Sequence, residues 1–135
     1  MWFVIVALVL ILLVSGLVTR ISVRHSRSLR GPALDELSFQ EVSFPNAEQD
    51  LVLGGLLFLP PDRQEVPAVV FIHGSETSKR ANPWYLALSS YLQDHGVAVL
   101  LPDKRGSERF GGDWRTAGFA ELAVDAIAAV EFLEA

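Results

Sequence analysis

The sequence has no cysteine. That excludes disulfides, thiolate metal sites, a cysteine nucleophile and the thiol that a lipoprotein anchor requires. Three histidines occur, His25, His73 and His95, and none stands with a carboxylate at metal-ligand spacing. Gly54-Gly55 and Gly111-Gly112 do not form a Gly-x-Gly-x-x-Gly pattern and there is no P-loop, so no cofactor is expected. Acid is absent from residues 1–34, which hold Arg20, Arg24, Arg27 and Arg30. Residues 35–135 then carry seven basic against sixteen acidic side chains, a net −9. A body of that sign repels phosphate backbones, so no nucleic-acid partner is expected.

What is present first is an uninterrupted apolar run. Trp2 to Val18 holds seventeen residues without a charge, which as a helix would span roughly 26 Å against a hydrocarbon core of about 30 Å. Extension to Val23, with Arg20 snorkelling to the interface, completes a single-pass span over residues 1–23. A cleaved signal peptide is the rival. It calls for a basic start and a small-residue cleavage site, and only Val14-x-Gly16 resembles one. The four arginines favour the cytoplasmic side for the globular part, whereas a secretory reading puts it outside. Residues 24–36, closed by Gly31-Pro32, read as a basic linker, and residues 37–135 as one globular domain.

Within that domain, Phe39, Val42 and Phe44 mark a first strand and Leu51 to Leu59 a second, joined as a hairpin around Asn46 to Asp50. Gly54-Gly55 suggests a bulge or twist point. Ala68 to Ile72 is short, apolar and β-branched, as is Val97 to Leu101, and both read as buried parallel strands. Between them the spacing predicts a helix over Pro83 to His95, with Asn82 as N-cap, Trp84, Leu88 and Leu92 on one face, and Gly96 as terminator. Thr116 to Glu134 is expected to be helical on a stripe of Phe119, Leu122, Ala126, Val130 and Leu133. Strand, helix, strand, helix in this order implies an α/β domain with a mostly parallel sheet.

Ligands of such sheets sit beyond the carboxyl ends of the strands. Two loops emerge there. His73-Gly74-Ser75-Glu76 follows the first parallel strand, and Gly74 allows a sharp turn that presents backbone amides. In acyl transfer such amides stabilise an oxyanion, each worth about 3–4 kcal/mol in the transition state. His73 reads as an imidazole that braces the loop. Pro102 to Ser107 follows the second strand, where Asp103 and Arg105 are expected to pair across the turn and Gly106 to take positive φ.

From Gly55 to Leu133 the chain resembles α/β-hydrolases of the serine-aminopeptidase and dienelactone-hydrolase-like type. The residues that carry the likeness are Gly55 to Pro60 as a GxLxxP strand, Ile72 to Ser75, Asp103 to Gly106, and Gly112 to Trp114. The resemblance implies a partial α/β-hydrolase fold, with Ser75 and Gly74 in the oxyanion hole and His73, Glu76, Asp103, Arg105 and Gly106 lining the site. It implies a small-molecule ester, thioester or peptide substrate. Glu76, Glu108 and Phe110 depart from the family pattern, where small residues are common. No serine in the sequence lies in Gly-x-Ser-x-Gly, and in that family the elbow, acid and histidine come later in the chain. The expectation is the N-terminal part of a membrane-anchored serine hydrolase. The alternative is a non-catalytic, anchored interaction module. Either way, Ala68 to Ile72 would form an apolar sheet edge able to self-associate.

Overall fold

A computed structural model describes residues 6, 10–18, 31–61, 65–74, 79–108 and 110–135. The chain divides into two units, Met1–Arg30 and Gly31–Ala135. In the first, residues 10–18 are helical and exposed. Among the described residues no helix is long and apolar enough to cross a membrane. Most of the span expected over residues 1–23, and the four arginines, lie outside the described residues.

The second unit is built on a four-stranded sheet in the order β1-β2-β4-β3. β1 is Gln40–Asn46, β2 Leu51–Phe58, β3 Ala68–Val70 and β4 Ala98–Pro102. β1 pairs antiparallel with β2, and β2 antiparallel with β4, while β3 runs parallel to β4. The sheet is therefore mixed and not mostly parallel. Only the β3–β4 pair is joined by a crossover helix, and the hairpin of β1 and β2 fixes the opposite sense for the rest.

Alternation along the central strands separates two cores. Leu56, Phe58, Val99 and Leu101 point to one face, where they meet Leu86. Phe44, Leu53 and Leu100 point to the other, against Ala128 and Ala129. Each fully buried Leu or Phe adds about 2 kcal/mol of transfer free energy, so the sheet is clamped from both sides. No bulge occurs at Gly54-Gly55, since the register runs unbroken from Gln40↔Leu57 to Asn46↔Leu51. These glycines serve close approach instead. A Cβ on Gly54 would lie 2.0 Å from the Phe110 ring, and one on Gly55 2.7 Å from the Leu101 carbonyl oxygen.

The first α-helix of this unit, α1, spans Pro83–Asp94. Asn82 caps it by accepting from the Trp84 amide at 3.0 Å, and Gly96 ends it at φ 82°. Its inward face differs from the expected one. Leu86 and Ser89 are buried, with Tyr85 and Leu92 packed beside them, while Trp84 and Leu88 face out. The second helix, α2, spans Phe119–Glu134. Of the expected stripe, Leu133 packs on the core and Leu122 and Ala126 line a cleft, while Phe119 and Val130 face out. Phe119 is 95% exposed, and Ala128 and Ala129 lie against the sheet. Two alanines let the helix backbone approach closely, and the Phe132 ring then stacks on Phe44 at 5.2 Å.

Candidate functional site

β3 and β4 end side by side, and the chain segments that leave them line an open cleft of about 80 Å³. Val70, Ile72 and His73 form one wall, Asp103 to Arg105 another, and Leu122 and Asp125 of α2 a third. Of the residues expected to line a site, His73, Asp103 and Arg105 stand at this cleft. Gly74 follows His73, and Gly106 lies in the next turn at φ 71°. Ser75 and Glu76 lie outside the described residues.

Asp103 and Arg105 do not pair with each other, contrary to the sequence expectation. Each finds a separate partner. Asp103 receives Arg80 Nε at 2.9 Å and Nη2 at 2.7 Å, a bidentate fork. Glu41 supplies a further contact to Arg80 at 3.3 Å. The hydrogen bond to Asp103 holds the guanidinium pKa above its already high ordinary value. Arg105 turns inward and is 5% exposed. It donates Nε to Asp125 Oδ2 at 2.7 Å and Nη2 to Asp125 Oδ1 at 2.8 Å. Nη2 also reaches Gln49 Oε1 at 2.5 Å and the Glu121 carbonyl at 2.7 Å. Asn46, itself buried, donates Nδ2 to Asp125 Oδ1 at 2.7 Å.

This network ties the tip of the β1–β2 hairpin, the loop after β4 and the first turns of α2 to one guanidinium. Sequence reading missed its outer members. Asp125 lies off the apolar stripe and reads as a solvated charge, Asn46 as a turn residue, and Arg80 as part of a polar loop. Of the glycines in the turn between Asp103 and Asp113, Gly106 and Gly112 take positive φ, 71° and 88°. A Cβ on Gly106 would meet the Gly112 carbonyl oxygen at 2.3 Å. Glu108 holds φ 53°, a region that favours glycine.

The strap after β3 is held from β4. Lys104 Nζ donates to the Gly74 carbonyl oxygen and lies 4.6 Å from the Trp114 ring centroid, a cation–π distance. Burial lowers the ammonium pKa from its ordinary value. His73 Nε2 lies 2.6 Å from the Pro102 carbonyl. A carbonyl only accepts, so Nε2 carries the proton and the neutral ring keeps its lone pair on Nδ1. The ring packs edge-on against Tyr85 at 4.8 Å.

Burial is the largest influence on His73 and lowers its pKa below the ordinary 6.5, with the Pro102 hydrogen bond opposing. The unfolded chain therefore takes up this proton more readily than the folded one. The stability His73 contributes is complete above about pH 6.5 and is lost as pH falls through the depressed folded value. Urea unfolding of the full chain in detergent micelles at pH 7.5 and 5.5 should show this drop. It should shrink in His73→Gln, whose amide can still donate to Pro102. An undiminished drop in that variant would assign the pH dependence to another group.

No family model matches the sequence. Over 54 residues the chain is 44% identical to the acylamino-acid-releasing enzyme of Rattus norvegicus and to that of Homo sapiens, covering 40% of this chain and 7% of each relative. The Mus musculus enzyme of the same name is 40% identical over 67 residues, 47% of this chain and 9% of that one. The chain thus spans less than a tenth of the length of these curated relatives. Among solved structures, the α/β hydrolase GrgF from Penicillium sp. sh18 superposes with a TM-score of 0.61 at 27% identity, over 73% of this chain and 32% of that one. Est1E from Butyrivibrio proteoclasticus, solved with ferulic acid bound, gives 0.61 at 20% identity, over 69% and 36%.

Proposed function

From the premise that this chain has an α/β-hydrolase-like fold, we propose that it supplies the oxyanion-hole side of a serine hydrolase. The reaction is acyl transfer on an ester, thioester or peptide bond. The observation that carries this reading is the strap beyond β3. Gly74 lies at the carboxyl end of a strand parallel to β4, its carbonyl is gripped by Lys104, and a small cleft opens beside it. Ser75, which follows Gly74, is assigned the backbone amide that would stabilise charge developing on a substrate oxygen.

The nucleophile, its acid and its base are assigned to polypeptide other than these 135 residues, since no Gly-x-Ser-x-Gly elbow occurs here. The apolar run over residues 1–23 is assigned to a single-pass anchor, with the arginines on the cytoplasmic side. A fluorophosphonate probe tests the reading. The native product in its own membranes should label at a mass well above 14.8 kDa, and the 135-residue chain alone should not label. An unlabelled native product of about 15 kDa would favour the second reading, an anchored interaction module. The observation behind that alternative is the open edge of β3, which pairs only with β4 among the described residues, with Ile72 just beyond it 74% exposed.

A further inference from the structure

The outward side of α1 is apolar and uncharged. Residues 81–93 carry no charged side chain, in a domain whose residues 35–135 hold 23 charges. Trp84, Leu88 and Tyr91 are 61%, 47% and 57% exposed. At spacings of four and three residues they lie along one line of the helix. The His95 ring, stacked on Tyr91 at 4.1 Å, continues that line. The core draws on other residues of α1, namely Tyr85, Leu86 and Leu92, so folding does not require the stripe. Arg80, the nearest arginine in sequence, is turned inward to Asp103 and Glu41.

A backbone contact places this stripe relative to the chain's entry point. Gly31 packs on the first residue of α1, so closely that a Cβ there would lie 2.6 Å from the Pro83 carbonyl oxygen. The polypeptide therefore enters the domain beside Trp84. The eight steps from Val23 to Gly31, at about 3.5 Å each, reach at most about 28 Å. The helix is only about 18 Å long. Given the anchor proposed for residues 1–23, on which this step rests, the whole stripe lies within reach of the bilayer face.

We infer that the Trp84–Leu88–Tyr91 stripe docks on the lipid surface, in the headgroup region. Trp and Tyr suit that layer because one end of each ring system is apolar and the other hydrogen-bonds. The anchor raises the local concentration of bilayer at the stripe, so a weak contact suffices. A second copy of the chain is the poorer occupant, because it brings a net charge of −9 toward another −9. No cation lies in the stripe, so docking takes a zwitterionic surface and is insensitive to salt.

The absence of native cysteine makes the test direct. Leu88→Cys, Glu48→Cys and Leu12→Cys, each in the full chain, take one nitroxide label and are reconstituted in phosphatidylcholine vesicles. Oxygen partitions into lipid and a nickel chelate into water, so the ratio of their collision rates reports depth. The ratio at position 88 should exceed that at the exposed hairpin position 48 several-fold, at both 0.05 M and about 0.5 M salt. Position 12 reports the anchor separately. A lipid-like ratio at 12 with a water-like ratio at 88 overturns the docking and leaves the anchor standing. Water-like ratios at both positions overturn both. Dipolar broadening at 88 that disappears on dilution with unlabelled chain identifies a second copy as the occupant and also overturns docking. Shielding at 88 from both reagents, in a longer product that contains these residues, overturns it as well, because protein then covers the stripe.

Discussion

Replacing Arg105 with methionine is expected to remove about 3–5 kcal/mol of stability, a large share of the roughly 5–15 kcal/mol that holds a domain together. The guanidinium makes four hydrogen bonds, to two oxygens of Asp125, to Gln49 and to the Glu121 carbonyl. Methionine fills much of the volume and makes none of them. The Asp125 carboxylate, 16% exposed, would keep its hydrogen bond from Asn46 but lose its counter-ion. A half-buried charge in that state is the costly product, more than the lost contacts themselves. Arg105→Lys should fall between, since an ammonium cannot match a planar fork.

Two further variants separate this mechanism from lost packing. Arg105→Met combined with Asp125→Leu removes both charges and should recover part of the loss, because the stranded carboxylate is gone while the buried Asn46 amide loses its acceptor. Arg115→Ala removes an exposed contact to Asp113 at 3.9 Å and should cost well under about 1 kcal/mol. Urea unfolding of the full chain in detergent micelles reads all of these. A single Arg105→Met variant within about 1 kcal/mol of the parent would show that the network is not what fastens α2 to the hairpin.

The elements of this domain were legible because their signals are local. Asn82 before Pro83, Gly96 after the helix, and the two β-branched runs each state a boundary within a few residues. The hairpin around Asn46 and the positive φ of Gly106 were legible for the same reason. Helix rotation was not. Trp84 and Leu88 are as apolar as Leu86, and only the sheet decides which side it covers. In α2, Phe119 shares a line with Leu122 and Ala126, which line the cleft, and is exposed as the first residue of the helix. The pairing of Asp103 with Arg80, across 23 residues, has no counterpart in the spacing of either. The tight pairs at the site form between loops that approach only once the sheet exists. Nearness in the sequence therefore suggested the wrong pair, Asp103 with Arg105.

Gly55→Ala should be the most damaging single-methyl change in the sheet, at about 3 kcal/mol, the upper part of the range for overpacking. Gly55 stands in a central strand, opposite Val42 on one side and Pro102 on the other. Its added Cβ would lie 2.7 Å from the Leu101 carbonyl oxygen and 2.9 Å from Pro102 Cα. Both are backbone atoms, so relief requires β2 and β4 to separate. Gly54→Ala makes a shorter contact, 2.0 Å, but with the end of the Phe110 side chain, which can swing aside. Phe110→Ala should therefore rescue Gly54→Ala and leave Gly55→Ala unrescued. The effect reaches the site as well as the core. Pro102 is the residue displaced, its carbonyl holds His73 at 2.6 Å, and the next residue, Asp103, donates its amide to the Gly54 carbonyl at 2.7 Å. Amide hydrogen exchange at Asp103 should accelerate in Gly55→Ala under native conditions, ahead of global unfolding. If exchange there is unchanged and stability falls by less than about 1 kcal/mol, β4 has room to yield, and the glycine is not what sets the spacing beneath the site.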